Sequence, residues 1–167
     1  ADHVVELPAR ADAHEEPRRD APPGDADLTR PGEPAPVGDL AGRAELRAGN
    51  AFDELRALEA RRERFGVVVL DPPPFTRRKE SVEAAARGYK EINLRGLRVL
   101  EPGGVLATFS CSHHVTPALF EAICREAAGD AGIAVRVLAT LGPSLDHPVL
   151  LNVPESRYLK GLLLQTL

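Results

Sequence analysis

The run Val67-Val68-Val69-Leu70-Asp71-Pro72-Pro73-Pro74-Phe75 constrains this chain more than any other stretch. A Val/Leu run with no polar break reads as a strand buried on both faces, which is the pattern of a parallel sheet. The prolines directly after Asp71 bar both helix and ladder, so the strand stops there and turns out in extended backbone. Residues 105–112, Val-Leu-Ala-Thr-Phe-Ser-Cys-Ser, form a second strand that ends at Cys111. Ligands bind outside the carboxyl ends of strands in an open parallel sheet. An acid and a thiol thus reach one crevice, which points to chemistry rather than packing.

Around these strands the chain has two unlike parts. Residues 1–38 interleave Pro8, Pro17, Pro22, Pro23, Pro31, Pro34 and Pro36 with acids, Arg and Gly, and 3–7 is the one short strand-like run. Such a composition buries too little surface to offset chain entropy, so mostly disordered backbone is expected: a solvated tail or a peptide-binding arm. From residue 39 onward strand and helix signals alternate. Residues 44–48 read as a strand and 52–64 as a helix, followed by the 66–71 strand. An apolar stripe through Val82, Ala85, Tyr89, Ile92, Gly96 and Leu100 predicts a long helix over 80–100. Pro102-Gly103-Gly104 is expected to stop it. Residues 105–111 follow as a strand, 117–128 as a helix opened by Pro117, 133–141 as a strand, 142–157 as a loop and 158–167 as a last strand. This order predicts an α/β fold with helices on the faces of a parallel sheet. The last strand follows its predecessor without a helix, so it is expected to pair antiparallel.

Composition narrows the setting. The 167 residues suit one domain, and an apolar fraction of 43% is enough for a core. Two cysteines and no long apolar span point to a reduced, soluble, cytoplasmic protein that does not cross a membrane. A net charge of −4 argues against a generally basic nucleic-acid binder, yet leaves room for a local basic patch.

The order of elements and motifs resembles the C-terminal part of a class I S-adenosylmethionine-dependent methyltransferase. More narrowly, it is similar to the large-subunit (23S) ribosomal RNA cytosine-C5 methyltransferase family. The residues that carry the likeness are 70–75, Lys79, 87–94, 102–104, Ser110-Cys111-Ser112, 146–149, Pro154-Glu155 and Tyr158-Leu159-Lys160-Gly161. The Asp-Pro-Pro element alone is shared by many amino-group methyltransferases; the whole series in this order is specific. The resemblance implies a Rossmann-like sheet with an antiparallel last strand, S-adenosylmethionine as cofactor and ribosomal RNA as partner. It departs from the family in four features. Neither the glycine-rich turn after the first strand nor the acidic residue after the second is recognisable in residues 1–38, and a small RNA-binding domain is absent. Asn50 stands where the family has Asp against the adenine. The first two strands therefore look missing, which would leave the 66–71 strand as an exposed edge and the 44–48 strand without a neighbour. Such an edge invites a homodimer or swapped pairing.

Within that likeness the residues take definite roles. Carbon 5 of cytosine becomes nucleophilic enough for methylation once a thiolate adds to carbon 6. Cys111 is the candidate nucleophile, and the alternative for it is a small buried hydrophobe. Asp71 is the candidate that holds the base and stabilises its protonated form, or else caps the turn. Asn50, Asp71 and Pro72 are the candidate cofactor contacts. Arg77, Arg78, Lys79 and His113, with Arg87 and Lys90 beside them, suit RNA phosphates or a solvated helix face. Phe75 either stacks on a base or plugs the core. His113, His114 or a water could take the carbon-5 proton. Cys124, among Phe120, Ile123 and Ala127, is assigned to the core. His147, Glu155 and Arg157 lie on the loop at the crevice. No metal site is expected, since a strand sends Cys111 and its neighbours to opposite faces. Two other readings stand beside this one: an inactive remnant without a complete cofactor site, and an amino-group methyltransferase in which Cys111 is idle.

Overall fold

The computed structural model describes residues 3–8, 44–75 and 82–167, with side chains from residue 47 onward. The expected disorder of residues 1–38 lies outside the described residues apart from 3–8, as do Arg77, Arg78 and Lys79. The chain divides into two units, Glu6–Arg47 and a larger one of Ala48–Leu167 with Ala1–Val5. Strands β1 (His3–Pro8) and β2 (Ala44–Gly49) pair with each other in a two-stranded sheet. The strand-like run near the start is therefore a strand. The 44–48 segment, expected to stand without a neighbour, has one in β1.

The larger unit holds a four-stranded sheet in the order β3-β4-β6-β5. Its strands are β3 (Phe65–Leu70), β4 (Leu100–Ser110), β5 (Val135–Leu141) and β6 (Lys160–Thr166). β3 and β4 are parallel, and β6 inserts antiparallel between β4 and β5. The expected antiparallel last strand is thus present, and it is central rather than peripheral. β3 is an edge, as expected for a sheet lacking its first strands, with Val67 and Val69 exposed at 47% and 59%.

Three helices join the strands: α1 (Ala51–Ala60), α2 (Val82–Arg98) and α3 (Pro117–Ala131). α1 ends before the expected residue 64, where Arg62 turns into left-handed backbone at φ 58°. α2 lies between the other two helices and packs onto β3 and β4. It sits close to the sheet because Gly96 has no side chain: a Cβ there would lie 2.9 Å from Leu70 Cδ1 and 3.4 Å from Leu106 Cδ1. That face buries Val68, Leu70, Leu106, Leu162 and Leu164. On the opposite face Val67 and Val69 are exposed, and Val105, Ala107 and Phe109 are half-buried. So among the described residues one face of the sheet is covered, not two. Glu59 ties α1 to α2 through Arg95 at 2.5 Å and Arg98 at 3.1 Å.

Pro102-Gly103-Gly104 does not stop α2, which ends at Arg98. These residues belong to β4, where the pairing jumps from Phe65↔Leu100 to Val67↔Val105. Gly103, at φ 77°, supplies the left-handed residue of this bulge, and Gln165 Nε2 and Thr166 Oγ1 donate to the Gly103 and Glu101 carbonyls. Both β6 side chains pin a loop that the local sequence presents only as a helix terminator.

Candidate active site

Parallel pairing of β3 with β4, in register Leu70↔Thr108, brings their carboxyl ends to the same edge. Asp71 leaves β3 with its side chain exposed, and Pro72 beneath it is buried. Across from them Cys111 leaves β4, half-buried, its Sγ donating to the Pro72 carbonyl at 3.8 Å. Asp71 and Cys111 thus leave neighbouring strands at the same edge of the sheet. Burial pushes the Cys111 thiol up, and its own backbone pulls it down; the Asp71 charge raises it again and Lys160 lowers it.

The turn after Cys111 is firmly built. The Ser112 N–H donates to Ser110 Oγ at 3.3 Å, and the Tyr89 hydroxyl of α2 meets Ser112 Oγ at 2.8 Å. Val115 N–H closes the turn onto the Ser112 carbonyl at 3.1 Å. Thr116 then caps α3 by accepting from Leu119 N–H, with Pro117 in its first turn. His113 is exposed and His114 half-buried, their rings 5.4 Å apart.

Asn50 is the N-cap of α1, and its Oδ1 accepts from Phe52 N–H at 2.9 Å. An amide oxygen has two lone pairs, so this bond does not exhaust it. Phe75 lies against Tyr89 at 4.6 Å and Phe52 at 5.9 Å, and its ring covers Gly88. Of its two readings the plug is the one the fold supports: Phe75 continues an aromatic row that ends at Phe120. Lys90 is bound to Glu126 at 3.2 Å and Asp130 at 2.9 Å on α3, which takes it out of the basic cluster, while Arg87 is exposed on α2. Glu155 and Arg157 are exposed, and His147 sits 3.5 Å from Asp146. Cys124 is 2% exposed with its thiol pushed up to about 12 by burial and Glu121, as a core cysteine should be. Among the described residues no group of three or more His, Cys, Asp and Glu could hold a metal ion, and no helix is long and apolar enough to cross a membrane.

The residue with no role in the sequence reading is Lys160. It opens β6 opposite Ser110 and is 6% exposed, donating to the Ser112 carbonyl at 2.6 Å.

The crystal structure of SMU.776, assigned as a methyltransferase and complexed with SAH, superposes with a TM-score of 0.59 at 22% identity. The overlap covers 70% of this chain and 30% of that one. A methyltransferase homolog protein from Pyrococcus horikoshii gives a TM-score of 0.50 at 22% identity, over 68% of this chain and 43% of that one. The fold is that of the S-adenosylmethionine-dependent methyltransferases. Sequence agrees with this methyltransferase fold. Ribosomal RNA large subunit methyltransferase I of Citrobacter koseri is 46% identical over 119 residues, 71% of this chain. The protein of that name from Pseudoalteromonas atlantica is 43% identical over 118 residues, again 71% of this chain. In both cases the chain spans 30% of the relative's length. No family model matches.

Proposed function

We propose that this chain carries the nucleophile-bearing part of an S-adenosylmethionine-dependent methyltransferase that forms 5-methylcytosine in 23S ribosomal RNA. The observation that carries this reading is the placement of Cys111 and Asp71 at neighbouring strand ends, with the thiol 3.8 Å from the Pro72 carbonyl. The 46% identity to a ribosomal RNA large subunit methyltransferase supports the substrate class.

The chain's own residues divide the work. The Cys111 thiolate adds to carbon 6 of the target cytosine, and the resulting enamine is nucleophilic at carbon 5. Asp71 holds the ring nitrogen or amino group and stabilises the protonated base. When bound, S-adenosylmethionine supplies the methyl group as an electrophile. Loss of the carbon-5 proton then expels Cys111, and His113, His114 or a water is the acceptor. Arg77, Arg78, Lys79 and His113 would meet RNA phosphates.

The donor set at this edge fits the cofactor. A carboxylate at Asp71 and the carbonyl of Pro72 would suit a sulfonium cation, and the Asn50 amide at the start of α1 would be its candidate partner for the adenine. Those three residues would hold it. Two observations favour the second reading, a remnant with an incomplete cofactor site: among the described residues β3 is an edge strand, and β2 belongs to a different sheet.

Calorimetry with S-adenosylmethionine on the purified chain and its Asn50→Ala variant separates them. Micromolar binding weakened by the substitution is the expected result, and a folded chain that binds nothing is the remnant. Methyl transfer to 23S ribosomal RNA that survives Cys111→Ala would instead move the target to an amino group.

A further inference from the structure

Lys160 is buried, yet its visible partners are neutral. Nζ donates to the Ser112 carbonyl at 2.6 Å and to the Tyr158 carbonyl at 2.8 Å. Among the described residues no carboxylate forms an ion pair with it. A buried ammonium without a counter-ion is costly, so a fold that keeps one is expected to set a negative charge beside it. β6 pairs Lys160 with Ser110, the residue before Cys111, and Lys160 also holds the carbonyl of the residue after it. Residue 111 thus lies between the lysine's two points of attachment, the Ser110 backbone and the Ser112 carbonyl.

The other groups that face Cys111 do not compete for this role. Asp71, at the end of β3, is itself an anion and disfavours a second one. Tyr89 of α2 is directed to Ser112, and His113 and His114 lie against each other at 5.4 Å. The charges of Cys111 and Lys160 favour one another: burial pulls the lysine down and the thiolate raises it, while the lysine lowers the thiol that burial and Asp71 raise.

We propose that Lys160 is a positioning residue for Cys111: its buried ammonium is the counter-ion of the thiolate, and its bond to Ser112 fixes the turn that carries the sulfur. The thiol proton leaves to solvent and the lysine stays charged throughout. The inference rests on Cys111 being the nucleophile and names what makes it one.

The test is alkylation of Cys111 by iodoacetamide across pH, followed at that peptide by mass spectrometry; the thiolate forms the S–C bond and iodide leaves. Lys160→Gln is expected to move the midpoint up by about one pH unit, which is about tenfold slower alkylation near neutral pH. Lys160→Arg should restore most of the rate. A folded Lys160→Gln protein with an unchanged profile overturns the proposal. Should that variant not fold, the Lys160 ammonium is titrated by NMR in the parent chain and in Cys111→Ser. Removal of the thiol should lower the lysine's titration point, and identical curves overturn the pairing. Neither measurement uses S-adenosylmethionine or RNA. A shifted profile therefore supports the pair even where methyl transfer fails, and an unshifted one counts against the pair even where methyl transfer succeeds.

Discussion

The Tyr89 hydroxyl and Ser112 Oγ, 2.8 Å apart and both fully buried, tie the middle of α2 to the turn that carries Cys111. Tyr89→Phe leaves the serine hydroxyl buried without this partner, at a cost of about 1–2 kcal/mol. Tyr89→Phe combined with Ser112→Ala should cost less than the two single changes added together. Urea melts of the four proteins in that cycle measure it.

Gly161 lies under the Phe109 ring, where an added Cβ would fall 2.6 Å from Cδ1 and 3.1 Å from the Thr108 carbonyl. Both neighbours belong to an adjacent strand that cannot withdraw. Gly161→Ala should destabilise by about 1–3 kcal/mol, and Phe109→Leu in the same chain should recover part of it, read by thermal denaturation.

Glu59 is held below its ordinary value of 4.5, first by its hydrogen bond to Arg95 and then by Arg98, against some desolvation. A depressed carboxylate stabilises the fold fully above the unfolded value and loses that contribution as pH falls through the folded one. Stability should therefore decline as the pH drops below about 4.5, and Glu59→Gln should flatten the decline. At neutral pH the same change should cost no more than about 1 kcal/mol, since the bridge is partly solvated. Denaturant midpoints across pH check both.

The two cysteines should separate cleanly toward a thiol reagent. Cys124 is buried with its thiol near 12, whereas Cys111 is half-buried at the sheet edge. Under native conditions alkylation at Cys111 should exceed that at Cys124 by at least about tenfold. Peptide mass spectrometry reads the ratio, and denaturation should abolish it.

The β3 edge, with Val67 and Val69 exposed, should pair with a second molecule at high concentration. Val69→Lys is expected to shift sedimentation toward monomer and change the melting temperature little, because that side chain is not packed.

Most of this arrangement was legible because local physics decides it. The abrupt stop at Asp71-Pro72 and the β-branched run before it mark a strand end whatever surrounds them. Pro117 and the stripe through Tyr89 and Ile92 likewise declare their helices. The insertion of β6 between β4 and β5 was not legible, since strand order depends on pairings between segments far apart in sequence. Pro102-Gly103-Gly104 misled for a related reason: a left-handed glycine after a helix reads as a terminator, and only the β6 side chains make it a bulge. Lys160 escaped because a strand lysine ordinarily faces water, and its burial comes from the pairing with Ser110 and the bond to the Ser112 carbonyl. At the site, the exit of Asp71 and Cys111 at one sheet edge could be read from two strand ends, whereas the Tyr89–Ser112–Lys160 connections required three-dimensional packing.

The insertion of β6 has a consequence for synthesis. β5 emerges from the ribosome before the strand that joins it to the sheet, so it must wait unpaired while residues 142–159 are made. Lys160, at the start of β6, arrives later still than the cysteine beside which it settles. The surroundings of Cys111 thus stay incomplete until Lys160 has been made, about fifty residues after the cysteine itself.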